Sequence, residues 1–488
     1  MSRVIVIGSG ISGLATASFL AKQGHEVTIL EKNKSVGGRA RQYEEKGFVF
    51  DMGPSWYWMP EVFENFYAKF GYTTSDFYEL KRVDPSYRVF WKNSEKTDVP
   101  ASYEALLDLF ESIEKGSAKK LDSFLKEAQY KYEVGMNDLV FKPGISILEF
   151  ADRRVIEGIF KLQLFSSFEK HIKAHFANPK LLSLLEFPIL FLGATAKETP
   201  ALYSLMNYAD LKLGTWYPMG GMYKVVEAFR TIAEKQGVQV LTDHEVTGFD
   251  YEGKEVKRVK TDKGTFEADI VVSSADYAHT DKLLNTKANY TDEYWDKRTM
   301  APSSLLFYIG VDKKIDALQH HNLFFDEDFT LHAHEIYKDP KWPSKPLFYV
   351  CCPSRTDASV APEGKENLFI LIPIAPGLED DKDLHEHYYN IAMDRLEERV
   401  NTSVRDAVIY KRSYALDDFK KDYHAFKGNA YGLANTLRQT AILKPKLKNK
   451  KLSNFFYTGQ LTTPGPGLPP AIISGEVVAG QIHNSLKY

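Results

Sequence analysis

The order of apolar and polar residues at the start of the chain predicts a strand, a helix and a second strand. Residues 4–7 (VIVI) form an uninterrupted apolar run, which is typical of a strand buried on both faces. Residues 14–22 have helical composition and end before Gly24, and residues 26–30 (EVTIL) form a second apolar run. Because three glycines stand between the first strand and the helix, we interpret this segment as folded structure and not as a secretion signal.

The same alternation returns later in the chain. The pattern predicts a helix over 222–236, strands at 238–241, 245–247, 264–269 and 270–272, and finally a strand over 454–458 followed by a helix over 471–482. Strands that alternate with helices indicate an α/β fold with a parallel sheet. Long stretches without this pattern separate the segments, so we expect the α/β domain to be discontinuous.

A glycine-rich turn connects the first strand to the helix. Its sequence, GSGISG, follows the strand at once, and Glu31 ends the second strand. Gly8 permits a tight turn, Gly10 lets the backbone approach a diphosphate, and Gly13 lets the helix lie close to the strand. The free N–H groups at the helix start, including that of Ser12, can hold the phosphates, and Glu31 can accept hydrogen bonds from ribose hydroxyls. The unit therefore predicts a dinucleotide site.

A second glycine pair indicates which dinucleotide is bound. Gly37, Gly38 and Arg39 follow the second strand, and the sequence DMGPS comes soon after, at residues 51–55. This arrangement resembles the signature of the FAD-dependent amine oxidase and carotenoid desaturase superfamily. The resemblance implies that FAD is the cofactor, that Gly38 lets the chain pass close to it and that Arg39 approaches its phosphates. It also implies cofactor contacts from Gly53, Pro54 and Ser55.

The far end of the chain carries a loop rich in glycine and proline. Residues 459–470 (GQLTTPGPGLPP) lead into the last predicted helix. Such a loop lets the backbone pack against a flat ring, and the helix start aims N–H groups and a positive dipole end at it. Reduced flavin carries negative charge at one edge of its ring system, which that helix end would stabilise. We predict that this segment binds the cofactor through Gly459, Gln460, Gly467, Pro469 and Ile472.

Motifs along essentially the whole chain resemble those of the bacterial-type phytoene desaturases, nearest to the flavobacterial kind. They are the C-terminal loop, GNAYGL at 428–433, the stretch 207–222 and GPSWYWMP at 53–60. The resemblance implies a Rossmann-like FAD domain, a carotenoid substrate and a position for Val246 beside the adenine. The chain departs from the pattern at Gln460, where many members of the superfamily have an acidic residue near the ribityl chain.

Two inserts interrupt the predicted FAD domain. We assign residues 1–70, 215–284 and 426–488 to the FAD domain, and residues 71–214 and 285–425 to the inserts. The inserts together are expected to form an α+β substrate domain with a helical part that faces a membrane. The fold prediction is thus α/β, with a discontinuous Rossmann-like FAD-binding domain.

A segment between Arg153 and Lys180 interleaves basic and apolar residues at helical spacing. Such a helix can lie on an anionic membrane surface, and the apolar run at 181–194 adds to it. The alternative interpretation is an ordinary helix packed on the core. We expect a cytoplasmic protein associated peripherally with the inner face of the cell membrane, and no helix that spans the bilayer, because no uninterrupted apolar run reaches about 18 residues.

Composition and charge exclude several other classes. The 488 residues carry 62 Lys and Arg against 65 Asp and Glu, a net charge of −3, which argues against a nucleic-acid-binding protein. Cys351 and Cys352 are adjacent, so we predict no disulfide and a reducing compartment. Histidines spaced by two, as at 332 and 334, lack the i,i+4 spacing of a helical zinc site, so we predict no metal. We interpret the five lysines at 444–451 as part of a solvated loop.

The family resemblance implies that the reaction is carotenoid desaturation by hydride transfer to flavin. Phytoene converted toward lycopene is the first candidate, because the family resemblance implies it. Hydride loss next to a double bond leaves an allylic cation, and loss of a neighbouring proton completes the new double bond. The sequence identifies no proton acceptor, so we nominate no catalytic residue. Candidates for the lining of a polyene tunnel are the aromatic residues Trp56, Tyr57, Trp58, Tyr208, Trp216 and Tyr217.

Three alternatives stay open. The first is 3,4-desaturation of a hydroxylated carotenoid in the same family. The second is an amine or porphyrinogen oxidase, although the C-terminal motif lacks the cysteine that often tethers flavin in amine oxidases. The third is a non-catalytic prenyl-lipid escort protein, against which the complete FAD motifs at both ends argue. No second glycine fingerprint follows a later strand, so we expect oxygen or a quinone, and not a nicotinamide, to accept the electrons.

Overall fold

Strands and helices alternate along most of the chain. The computed structural model describes residues 1–146, 149, 163, 166–193, 195–436 and 439–486. Within these residues the strands are β1 (Arg3–Ile7), β2 (Glu26–Leu30), β3 (Gln42–Glu45), β4 (Phe48–Asp51), β5 (Leu80–Arg82), β6 (Tyr87–Trp91), β7 (Lys96–Val99), β8 (Trp216–Pro218), β9 (Gln239–Leu241), β10 (Val246–Glu252), β11 (Glu255–Thr261), β12 (Thr265–Glu267), β13 (Ile270–Ser273), β14 (Ser303–Val311), β15 (His321–Phe325), β16 (Phe348–Cys351), β17 (Glu366–Ile374), β18 (Val408–Tyr414) and β19 (Phe455–Tyr457). The α-helices are α1 (Ile11–Lys22), α2 (Pro60–Ala68), α3 (Tyr103–Ile113), α4 (Ser117–Val134), α5 (Phe168–Lys173), α6 (Pro179–Glu186), α7 (Leu205–Tyr208), α8 (Tyr223–Lys235), α9 (Tyr277–Leu284), α10 (Asp292–Asp296), α11 (Phe329–Tyr337), α12 (Lys382–Val400), α13 (Leu416–Tyr423) and α14 (Leu468–Ser485).

A five-stranded parallel sheet carries the glycine-rich turn. Its order is β19, β13, β1, β2 and β9, so β1 lies in the middle, and its residues 4–7 are buried. Helix α1 packs against both α8 and α14. The sheet draws its strands from three separate parts of the chain. The predicted α/β fold and its discontinuity are therefore confirmed.

The first and the last of the predicted helices begin earlier in the structure than the sequence indicates. Helix α1 begins at Ile11, so Gly13 lies within its first turn and does not precede the helix. Helix α14 begins at Leu468, since Pro469 and Pro470 occupy its first turn, where their missing N–H groups cost no helical hydrogen bond.

A seven-stranded mixed sheet joins the two inserts. Its order is β18, β14, β17, β16, β15, β6 and β7, and the last two strands come from the first insert. Along β14 the side chains alternate between two cores. Leu305, Phe307 and Ile309 pack beneath α12, whereas Leu306 and Tyr308 face the larger core that contains the parallel sheet. This second face lies towards the glycine-rich turn.

The segment expected to lie on a membrane is described in part. Phe168, Ile172 and Phe176 are almost completely buried, as are Leu181 and Leu184 of α6. These residues belong to the main hydrophobic core, so the core interpretation holds for this part of the segment. The predicted helix between 153 and 162 falls outside the described residues. Among the described residues, every helix is too short or too polar to cross a bilayer.

Two further expectations concern polar side chains. Lys444 is 3% exposed, so its placement in a solvated loop was wrong, although Lys448 and Lys450 are exposed. Cys351 and Cys352 both have free, buried thiols.

Candidate active site

A cleft of about 290 Å³ opens where β1 and β2 end. Open α/β sheets place ligand sites at this carboxyl edge. Twelve of the sixteen residues that the sequence predicts for cofactor binding line the cleft: Gly8, Gly10, Ser12, Glu31, Gly38, Arg39, Gly53, Pro54, Val246, Gly459, Gln460 and Gly467. Residues from both ends of the chain therefore meet at one cavity.

The turn after β1 is shaped by its glycines. Gly8 has a φ of +91°, which residues with side chains rarely adopt. A Cβ built on Gly13 would lie 2.1 Å from the carbonyl oxygen of Gly8, so Gly13 permits the close packing of α1 and does not itself line the cleft. A Cβ built on Gly10 would meet nothing nearer than Ser274 Oγ, at 3.9 Å. Gly10 thus leaves open space at the start of α1.

The carboxylate of Glu31 is held in place at the end of β2. Its Oε2 accepts hydrogen bonds from the Ser9 backbone N–H (2.8 Å) and the Ser9 hydroxyl (2.6 Å). Its Oε1 accepts from the Asn33 backbone N–H (2.8 Å) and from Asn33 Nδ2 (3.0 Å). The Ser9 hydroxyl can rotate away, so a ribose hydroxyl can take its place without any movement of the carboxylate.

Arg39 is a partly buried cation on the wall of the cleft. One of its Nη2 hydrogens is donated to the carbonyl oxygen of Asn429 at 3.2 Å, and its guanidinium lies 5.1 Å from the ring centre of Tyr423. Its Nε has no hydrogen-bond partner among the described residues, and burial lowers its pKa. A partly buried guanidinium with a buried, unpartnered Nε–H beside a glycine turn fits a diphosphate, which would satisfy both its charge and its Nε–H.

The C-terminal loop reaches the same place through contacts between α14 and α1. A Cβ built on Gly475 would lie 2.8 Å from Ala15 Cβ, so the two helices pack closely at this glycine. The Gly459 backbone N–H donates to Ser474 Oγ at 3.0 Å, and a Cβ built on Gly459 would lie 3.0 Å from Ser12 Oγ. The start of α14 consequently borders the cleft, where Gly467 and Leu468 are lining residues, and brings the positive end of the helix dipole to it.

Four predicted cofactor residues do not line this cleft. Gly13 lies beneath the turn, and Ile472 is buried in the core. Pro469 is in the first turn of α14, and Ser55 accepts a hydrogen bond from the Tyr349 hydroxyl at 3.1 Å. Their contacts with a cofactor stay predictions.

The other end of the cleft is apolar. Leu306 of β14 and Leu371 of β17 form a cross-strand pair, and Phe369 lies two residues before Leu371 on the same face. Ala430 and Tyr431 complete this end. Sequence reasoning missed the three strand residues, although the GNAYGL motif contains the other two. The alternation of β14 and β17 is visible in the sequence, but the face that meets the cleft is not.

A segment of the second insert covers the nucleotide end. Arg41 Nη2 donates to Asp422 Oδ2 at 2.5 Å, and Asn33 Nδ2 donates to the Asp422 carbonyl oxygen at 3.1 Å. The ring of His424 stacks on that of His279 with their centres 3.9 Å apart. Burial, helped by nearby cations, lowers the pKa of His279 to about 3, so this ring is neutral. No sequence motif pointed to this cover.

None of the six aromatic residues proposed for a polyene tunnel lines this cleft. Tyr57 and Tyr217 are buried, and Trp56 stacks on His321 with ring centres 3.9 Å apart. These observations favour the core interpretation for the three residues.

The carboxylates that line the cleft already hold structural hydrogen bonds. Asp276 accepts from the N–H groups of His279 and Phe426, Glu245 contacts His424, and Asp422 contacts Arg41. All of them lie at the nucleotide end, together with Glu31. The geometry therefore assigns no proton acceptor beside the apolar end.

Known proteins resemble this chain in sequence along nearly its whole length. The family model described as flavin containing amine oxidoreductase matches residues 11–483. The chain is 40% identical over 481 residues to a carotenoid 3,4-desaturase from Haloarcula japonica, covering 98% of this chain and 97% of that protein. It is 30% identical over 487 residues to a zeta-carotene-forming phytoene desaturase from Myxococcus xanthus, covering 98% and 93% of the two chains.

Solved structures share the fold. An oxidoreductase from Methanosarcina mazei aligns with a TM-score of 0.63 at 16% identity, covering 97% of this chain and 99% of that chain.

Proposed function

This chain belongs to the flavin-containing amine oxidoreductase family and, within it, to the carotenoid desaturases, and on that premise we propose that it introduces double bonds into a C40 polyene. It is an FAD-dependent oxidoreductase. One observation carries the proposal: a single cleft has dinucleotide-binding features at one end and an apolar lining at the other. Such a cleft can bring a hydrocarbon chain next to a flavin.

Bound FAD supplies the hydride acceptor. We propose that Arg39 and the N–H groups at the start of α1 hold its diphosphate and that Glu31 binds its ribose. The positive end of α14, at Gly467, would face the flavin. The remaining predicted residues are proposed as neighbours of the same cofactor: Gly8, Gly10, Ser12, Gly13, Gly38, Gly53, Pro54, Ser55, Val246, Gly459, Gln460, Pro469 and Ile472.

The apolar end is suited to a hydrocarbon. Leu306, Phe369 and Leu371 offer side chains without hydrogen-bonding groups, so water gains little there and a polyene is favoured by burial of its surface. These residues position the chain and exclude water from the reacting carbons. Phytoene, converted toward lycopene, is the first candidate substrate.

A second candidate is 3,4-desaturation of a hydroxylated carotenoid. The relative with 40% identity is named for that reaction, whereas the relative with 30% identity is named for a phytoene reaction. Both candidates use the same cleft and differ in the end group that the apolar lining must accept.

The test is product analysis after incubation of FAD-loaded protein with each substrate in liposomes. We expect chromatography to show new conjugated double bonds from phytoene, ending in lycopene. New double bonds in a hydroxylated carotenoid, with phytoene left unchanged, would favour the second candidate. If flavin is bound and neither polyene changes, the desaturase proposal is overturned.

We further infer peripheral association with a membrane. Phe141, Ile145 and Leu443 are among the exposed large apolar residues, and Lys446 Nζ donates to the carbonyl oxygen of Gly144 at 2.8 Å, which joins their two segments. Basic residues next to exposed apolar ones favour an anionic membrane surface. The inner face of the cell membrane, on the cytoplasmic side, is the proposed location.

Vesicle co-sedimentation tests this surface. Replacement of Ile145 and Leu443 by Glu should reduce binding to anionic vesicles several-fold. Leu331→Glu, at an exposed leucine elsewhere, is the matched control and should bind like the parent protein. Equal binding by all three proteins would contradict the proposal.

The proposed electron acceptor is either oxygen or a quinone dissolved in the membrane. Turnover under anaerobic conditions, measured with and without added quinone, distinguishes these two acceptors.

A further inference from the structure

Three buried side chains with metal-binding chemistry meet behind the cleft. His321 begins β15 and pairs across the sheet with Cys351 of β16, and His320 precedes it. All three residues are buried, and one donor atom from each lies within 4.8 Å of the others. His320 and His321 are neighbours in sequence, and His321 and Cys351 are neighbours across two strands. The prediction of no metal considered only the i,i+4 spacing of helical sites, so it could not detect this cluster.

The hydrogen bonds of the two imidazoles leave one nitrogen of each ring unused. His321 Nδ1 lies 2.6 Å from the Tyr349 hydroxyl, which itself donates to Ser55 Oγ at 3.1 Å. His321 Nδ1 is therefore the donor to Tyr349, and its Nε2 keeps a lone pair. His320 Nδ1 lies 2.7 Å from Thr356 Oγ1.

Both Nε2 atoms are buried and have no hydrogen-bond partner among the described residues. A buried polar atom without a partner is destabilising, and most such atoms in native proteins are satisfied by protein, water or an ion. Tyr217, His320 and Cys351 line one small cavity of about 20 Å³. His320, whose Nε2 has no partner among the described residues, thus shares a cavity with the Cys351 thiol, and the His321 ring lies beside that thiol with its Nδ1 4.0 Å from Cys351 Sγ.

The surroundings resemble those of ligands in metal sites. Metal-binding histidines usually donate their other ring N–H to a hydroxyl, carbonyl or carboxylate, as His321 does here, and His320 Nδ1 lies within hydrogen-bond distance of the Thr356 hydroxyl. The indole of Trp56 stacks on the His321 ring at 3.9 Å and restricts its rotation. Two imidazole nitrogens and one thiolate suit a borderline-soft cation such as Zn²⁺.

We propose that His320, His321 and Cys351 bind a borderline-soft divalent cation, for which Zn²⁺ is the probe. Tetrahedral Zn²⁺ places nitrogen and sulfur donors about 3.5 Å apart, so the three donors would close by about 1 Å on binding. The Cys351 thiol gives its proton to solvent as the metal–sulfur bond forms, and a water molecule or the Tyr217 hydroxyl takes the fourth position. The ion would tie β15 and β16 together beside Ser55, whose neighbour Pro54 lines the cofactor cleft.

The test begins with FAD-loaded wild-type protein that has been treated with a chelator and dialysed. Incubation with Zn²⁺ followed by desalting should leave about one Zn²⁺ per chain. Cobalt substitution should add absorption in the red, beyond the flavin bands, as expected for a tetrahedral site with a thiolate. Less than one-tenth of an ion per chain at micromolar free Zn²⁺ would overturn the proposal, as about one ion per chain is expected.

Matched variants locate the ion. Cys351→Ser and His321→Gln should each weaken Zn²⁺ binding at least about tenfold. Cys352→Ser is the control, because this neighbouring buried thiol contacts Ser354 and Glu366 and lies outside the cluster. Bound flavin absorbance shows that each variant is folded, and His320→Gln replaces any variant that loses flavin. Equal Zn²⁺ affinity in Cys351→Ser, His320→Gln and the control would overturn the assignment.

Discussion

The two ends of the cleft are built in different ways. At the nucleotide end, the backbone turn at Gly8 and the short stretches around Glu31 and Arg39 lie within 40 residues of one another. At the apolar end, Leu306 and Leu371 meet only because two distant strands pair. In the proposed function, the nucleotide end would recognise its ligand through directed hydrogen bonds and charge, whereas the apolar end would act by excluding water. On that proposal the first end determines the cofactor, and the second determines the length and shape of the substrate.

The largest expected effect comes from filling the space at the start of α1. Gly10→Val should weaken FAD binding about 1,000-fold, or about 4 kcal/mol, because the side chain would occupy the position of the diphosphate. The apoprotein should still fold, since a Cβ at this position has no neighbour closer than 3.9 Å. Flavin fluorescence titration measures the affinity. Gly248→Ala, on β10 with open space around its Cβ, is the control, and an equal loss in both variants would contradict the role of Gly10.

The next effect separates charge from shape at the same end. Arg39→Met keeps the length of the side chain but removes the cation, and FAD affinity should fall about 100-fold, which is the loss of about two charged hydrogen bonds. The melting temperature of the apoprotein should change little, because the relief of desolvating Arg39 offsets the loss of its attraction to Asp276. Arg230→Gln, at an exposed arginine of α8, should leave FAD affinity unchanged. A destabilised apoprotein with normal FAD affinity would assign Arg39 to the fold instead.

This contrast also explains which parts were predictable from sequence. The turn at Gly8 and the acid at Glu31 could be predicted because glycine conformation and strand ends are local properties. The choice between Leu305 and Leu306 as a cleft residue could not, since it depends on α12 covering one face of the seven-stranded sheet. The cover formed by His424 likewise depends on the path of the second insert, which no local pattern encodes.

A smaller effect is expected from the apolar end, where the two faces of β14 can be compared directly. Leu306→Trp should lower kcat/KM for the polyene about tenfold by shortening the apolar lining, with FAD affinity unchanged. Ile309→Val, on the opposite face beneath α12, should lower the free energy of unfolding by about 1 kcal/mol and leave kcat/KM unchanged. Steady-state turnover and urea unfolding measure the two quantities. Unchanged turnover in Leu306→Trp would exclude this end from substrate binding.

The smallest effect concerns Lys444, a buried lysine beside the C-terminal loop, whose residues 459 and 467 both line the cleft. Its Nζ donates to Asn435 Oδ1 at 2.9 Å and would lie 3.1 Å from a Cβ built on Gly465. Burial lowers its pKa to about 7, whereas the unfolded chain keeps the ordinary value of 10.5. Between these values the unfolded state binds more protons, so the stability of the parent protein rises with pH, and the cost of burying this amine is greatest below pH 7.

Lys444→Met removes that cost. The variant should exceed the parent in free energy of unfolding by about 1 kcal/mol at pH 6, and the difference should shrink as the pH rises to 9, because the amine of the parent is then neutral in the fold. Urea unfolding at the two pH values measures it. Lys448→Met, at an exposed lysine of the same segment, should give a pH profile parallel to that of the parent. A parallel profile for Lys444→Met as well would mean that this amine keeps its ordinary pKa in the folded protein, because water reaches it through the loop before α14.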